Sequence, residues 1–140
     1  MSRKTVIVSA LVLSVILSGC SFNDLKSLVN TEQVKTAKPS WKVNGNSYST
    51  SVTYEIPEGE ESNTFTLVLE NNLIKSIKVD ISTNGKASLK YQQGFADNIS
   101  KVIVGKSLST LTTIDRVSGA SLTTNAFNKA LSELKQQLGS

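Results

Sequence analysis

The chain has 140 residues, 39% of them hydrophobic and 19% charged, with a formal net charge of +4. That length holds one domain plus appendages, and the composition excludes wholesale disorder. One Cys and no His exclude an internal disulfide, a Cys/His zinc site and a c-type haem attachment.

Arg3 and Lys4 form a short positive segment ahead of the mostly apolar stretch from Thr5 to Leu17. This stretch is short for a transmembrane helix and fits the hydrophobic part of a signal peptide. Leu17-Ser18-Gly19-Cys20 follows and resembles the lipobox of bacterial lipoproteins. The resemblance implies cleavage before Cys20, acylation there with fatty acids such as palmitate, and a domain on the extracytoplasmic face of the cell membrane. Without Arg3 and Lys4, the 15 basic residues fall to 13 against 11 acidic ones, a net charge near +2. With the lysines scattered as well, this is too weak for a nucleic-acid partner.

Residues 20–40 read as a polar tether between the lipid and a domain spanning 41–140. Twenty residues reach roughly 65 Å fully extended and average about 25 Å as a coil. Within the tether, Phe22, Leu25, Leu28 and Val29 have the spacing of one face of a short helix.

The domain opens near Trp41. Tyr48, Thr50, Val52, Tyr54 and Ile56 alternate with polar residues, the period of a half-buried strand. Residues 57–63 (PEGEESN) read as a charged loop. Phe65, Leu67 and Leu69 mark a second strand, Asn71-Asn72 a tight turn, and Ile77, Val79 and Ile81 a third strand. The three form an antiparallel meander with one buried face.

After a loop over 82–86 the period lengthens. Leu89, Tyr91, Phe95, Ile99, Val102 and Ile103 predict a helix face, with Gly94 a weak point and Gly105 a stop. Leu108, Leu111 and Ile114 fall in a connector or a short strand. A second helix is expected from about Thr124 to Leu138, with Ala126, Phe127, Ala130, Leu131, Leu134 and Leu138 on its apolar stripe and Thr123 or Thr124 as its cap. The fold class is therefore α+β: a small antiparallel meander packed with two helices.

The chemistry concentrates just before that last helix. Residues 115–124 (DRVSGASLTT) hold five hydroxyl or carboxylate side chains and lead into a helix N-terminus, where unpaired N–H groups favour anions. Gly119 and Ala120 let the backbone come close to a ligand. The same residues also suit an ordinary polar loop and cap.

Residues 115–134 (DRVSGASLTTNAFNKALSEL) resemble the signature of the FMN-binding domain family. That family includes peripheral subunits of the sodium-pumping NADH:quinone oxidoreductase and of ferredoxin-linked relatives, and small extracytoplasmic electron-transfer lipoproteins. The likeness spans roughly residues 48–138. Asp115, Ser118, Gly119, Ala120, Leu122 and Thr123 match its motif, whereas Ser121 stands where the family normally has Thr. The resemblance implies a cofactor-binding segment made of Asp115, Ser118, Gly119, Ala120, Ser121, Leu122, Thr123 and Thr124. It implies FMN joined through its phosphate to the Ser121 hydroxyl by a flavin transferase; Thr123 and Thr124 are off-register alternatives, and neither follows Gly-Ala as the acceptor does.

No acid–base pair accompanies Ser121, so an electron carrier is expected rather than a substrate-converting enzyme. Its partners would be a membrane redox donor and an acceptor whose identity the sequence leaves open. Tyr91 and Phe95 have the spacing of core residues, with ring stacking the rarer role. Two alternatives stay open: a noncovalent FMN-binding lipoprotein, and a flavin-free envelope lipoprotein with the same fold.

Overall fold

The structure, a computed structural model, describes residues 39–140. The expected signal peptide over 1–19, the expected lipidation site Cys20 and nearly all of the expected tether lie outside the described residues.

Four antiparallel strands form one sheet in chain order: β1 (Lys42–Asn44), β2 (Ser47–Ile56), β3 (Gly59–Glu70) and β4 (Leu73–Ser82). Two helices, α1 (Lys86–Ile103) and α2 (Ser121–Leu138), complete the α+β fold. The β3–β4 hairpin turn is chemically specified. Asn71 and Asn72 both adopt positive φ, at 50° and 65°, in the two-residue connection between Glu70 and Leu73. That pair of values is the turn whose twist suits flanking strands.

Thr50, Val52 and Tyr54 of β2 and Phe65, Leu67 and Leu69 of β3 point to the buried face. Phe65, Phe95 of α1 and Phe127 of α2 meet edge to face, with centroids 5.0–6.1 Å apart. This geometry adds to the hydrophobic gain from burying three large rings. The opposite face is lined with hydroxyls: Ser51 with Thr64 at 2.7 Å, Thr53 with Ser62 at 2.7 Å, and Thr66 donating to Ser49 at 3.1 Å.

Several expectations need correction. Residues 57–63 are not a loop. Ile56 pairs with Gly59 around a two-residue turn, and β3 carries Glu61 and Asn63 into the interior. Their polarity hid the alternation that runs through 61, 63, 65, 67 and 69. Strand β1 is an addition, too short to show a period. On α1, Leu89 and Tyr91 lie outside the buried face, at 47% and 51% exposure, and Gln92 takes the inward position at 1%. Leu138, at the end of the α2 stripe, is 39% exposed.

Helix α2 starts three residues early, at Ser121 after Ala120, with no side-chain cap. Thr123 and Thr124 are therefore buried first-turn residues rather than caps. The connector is ordered by burial at every third position: Leu108, Leu111, Ile114, Val117 and Ala120. Asn128 of α2 clasps it, donating to the Ile114 carbonyl at 2.8 Å and accepting from the Ile114 amide at 2.9 Å.

Candidate functional site

The approach to α2 is built from two successive tight turns. Ser118 and Gly119 take positive φ of 50° and 78°, and the Ala120 amide closes back on the Val117 carbonyl at 2.9 Å. Ala120, at φ −83° and ψ 68°, has the geometry of an inverse γ-turn, closed by the Ser121 amide on the Gly119 carbonyl at 3.0 Å. A left-handed conformation is costly for any residue but Gly, so Ser118 is held there by its surroundings. Part of that hold is α1. A Cβ added at Gly94 would stand 3.2 Å from the Ser118 Cβ, so the turn packs where α1 has no side chain.

Thr124 locks the turn from the other side. Its hydroxyl donates to the Ala120 carbonyl at 2.7 Å and accepts from the Val117 amide at 3.2 Å. Asp115 binds the neighbouring Arg116 amide at 2.7 Å.

Beside this turn lies a cleft of about 200 Å³. Gly119, Ala120, Ser121, Leu122 and Thr123 form one side, Ser88, Tyr91 and Gln92 of α1 another, and Tyr54, Ile56 and Glu61 the sheet side. The structure thus brings together five of the eight expected cofactor-binding residues. Ser118 packs against Gly94, and Thr124 is buried in the lock. Asp115 faces a separate shallow depression shared with Arg116, Ser121 and Asn125. Ser121 therefore borders both cavities. Of the three hydroxyls opening α2, only that of Ser121 is exposed.

The inner wall is polar and buried. Asn63 Nδ2 donates to the Tyr54 hydroxyl at 2.8 Å, and the Tyr54 and Thr123 hydroxyls are 3.1 Å apart. The Glu61 carboxylate accepts from the Thr83 hydroxyl and from Gln92 Nε2. Asn63 Oδ1 and Gln92 Oε1 are buried with no hydrogen-bond partner among the described residues. Burial pushes the Tyr54 phenol above its ordinary pKa and the Glu61 charge pushes the same way, while hydrogen bonds from Thr123 and Asn63 oppose them.

Sequence reading missed Glu61 and Gln92 as site residues, and took Tyr54 only as a core strand position. It weighed Tyr91 mainly as core, yet Tyr91 sits at the cleft with half its surface exposed, its Cε1 3.8 Å from where a Gly119 Cβ would be. Phe95 does belong to the core. Among the described residues, no group of three or more acidic, His or Cys side chains is placed to hold a metal, and no helix is long and apolar enough to cross a membrane. Comparison with protein-family models, curated proteins and solved structures gives no match.

Proposed function

We propose that this protein is a lipid-anchored extracytoplasmic electron carrier of the FMN-binding type, with FMN joined through its phosphate to Ser121 Oγ. One observation carries the reading. Ser121 presents the exposed hydroxyl at the start of α2, on the rim of a cleft whose walls include the Tyr91 ring and the tight turn at Gly119.

The residues present fit the group. At about 200 Å³ the cleft is smaller than the roughly 300–1,000 Å³ of sites that swallow a drug-sized ligand, so it suits a ring and leaves the phosphate outside. Arg116 and Asn125 share a depression with Ser121, where they supply a cation and an amide beside a phosphate. The amides of Leu122 and Thr123, in the first turn, have no carbonyl one turn back in the helix, which favours the same charge. Loading would join Ser121 Oγ to the FMN phosphorus of FAD, break the pyrophosphate bond, release AMP and lose the hydroxyl proton. Bound FMN would supply the redox chemistry, while the chain attaches and orients it.

The test is intact mass after denaturation of protein produced alongside a flavin transferase. The wild type should gain FMN minus water, Ser121→Ala should gain nothing, and Ser121→Thr should load at least as well. A wild type without that mass overturns covalent attachment. A colourless protein overturns the carrier reading altogether.

A further inference from the structure

Behind the attachment point, the cleft wall carries a hydrogen-bonding pattern that attachment itself does not use. Gln92 lines the cleft at 1% exposure. Its Nε2 donates to the Glu61 carboxylate, which fixes the amide, because the flipped form would set one oxygen against another. Oε1 is then a committed acceptor, and it has no donor among the described residues. Native proteins keep few such buried orphans, and those they keep call for an explanation.

Across the cleft stands a pair of hydroxyls. The Tyr54 oxygen accepts from Asn63 Nδ2 and shares one hydrogen bond with Thr123 Oγ1, which either hydroxyl can donate. Thr123 Oγ1 has no other hydrogen-bond partner on the described residues. A ligand carbonyl beside Thr123 selects the arrangement in which Tyr54 donates to Thr123 and Thr123 donates to the ligand, opposite the Gln92 acceptor. Tyr91, Ile56 and Leu122 supply apolar surface to the same cleft.

We infer that the cleft reads the imide edge of a planar heterocycle, with a ring N–H held by Gln92 Oε1 and an adjacent ring carbonyl by the Thr123 hydroxyl. This deepens the flavin reading and rests on it: the ring is the isoalloxazine and the N–H is its N3–H. Gln92 and Thr123 are positioning residues, and Glu61, Asn63 and Tyr54 set their polarity.

The experiment uses the full chain in detergent, produced without a flavin transferase, and titrates it with lumiflavin and with 3-methyllumiflavin by flavin fluorescence. The methyl group removes the N3–H and leaves both carbonyls. The wild type should bind lumiflavin about tenfold more tightly, the scale of one buried hydrogen bond. Gln92→Met should bring that ratio close to one by weakening lumiflavin alone. Thr123→Val should weaken both ligands alike and keep the ratio. Equal binding of the two ligands by the wild type overturns the inference, even if Gln92→Met fails to fold, and leaves the flavin reading standing. If neither ligand binds while transferase-loaded protein carries the FMN mass, the inference alone falls. If neither binds and no mass is gained, both fall.

Discussion

Gly94 of α1 and Ser118 of the turn before α2 touch through the absence of a side chain: a methyl on Gly94 would stand 3.2 Å from the Ser118 Cβ. Gly to Ala inside a helix ordinarily stabilises by about 1 kcal/mol. Here the gain should vanish or reverse, because Ser118 is already held at φ 50°. Ser118→Gly should stabilise by about 1 kcal/mol by relieving that conformation. In its background Gly94→Ala should recover its ordinary gain. A double-mutant cycle in urea measures the coupling, and additive effects would contradict the contact.

The Thr124 hydroxyl spans the same turn. Thr124→Val keeps the shape but leaves the buried Val117 amide without an acceptor, at a cost of about 1–3 kcal/mol. Thr124→Ser keeps both bonds and should cost clearly less. A loss in Thr124→Ser as large as that in Thr124→Val, read by denaturant unfolding, would mean that the methyl group matters as much as the hydroxyl.

Tyr54 gives a pH prediction. Its phenol titrates above the unfolded value of 10.0. Just above pH 10 the unfolded chain has released this proton and the folded chain has kept it. Stability from this group is thus intact below pH 10 and falls as pH rises toward the folded value. Phenolate absorbance should show one of the three tyrosines ionising late, and Tyr54→Phe should abolish that step. Glu61→Gln removes a charge that raises the value, so it should move the step to lower pH. A late step that survives in Tyr54→Phe would assign the shift to another tyrosine.

Trp41 ties the start of the domain to its last helix. It is buried, and its Nε1 donates to the Ala130 carbonyl at 2.8 Å. Trp41→Ala should cost about 3–5 kcal/mol. Trp41→Phe keeps most of the apolar burial and should cost closer to 1 kcal/mol for the lost bond. Chemical denaturation of the two variants separates packing from hydrogen bonding.

Anchoring is tested apart from the fold. Cys20→Ser should release the protein from the detergent phase or leave the precursor uncleaved, with the flavin mass on Ser121 unchanged. Unaltered partitioning would contradict the lipid anchor.

The meander, both helices and the Asn71-Asn72 turn were legible in the sequence because apolar side chains repeat at the period of the element that buries them. Phe65, Leu67 and Leu69 can only be a half-buried strand, and Phe127, Ala130, Leu131 and Leu134 only a helix stripe. The segment from Asp115 to Thr124 stood out by its composition and resemblance, and five of its residues line the cleft. Hydrophobic period is blind to polar groups that are buried because they are partnered. Glu61 and Asn63 read as loop, and the apolar face of α1 reads through Leu89 and Tyr91, with Gln92 not singled out. The burial of Glu61, Asn63 and Gln92 depends on Tyr54 across the β2–β3 hairpin, on Thr83 after β4, on Thr123 of α2, and on α1 and α2 docking over the sheet. The same docking makes Gly94 a contact rather than a weak point. It also buries Thr123 and Thr124 and leaves Ser121 as the one exposed hydroxyl at the start of the last helix. The sequence by itself determined the elements and the chemically dense segment, because those rest on local pattern. Only the tertiary structure decided which of those polar side chains face a cleft, because that depends on which distant partners satisfy the others.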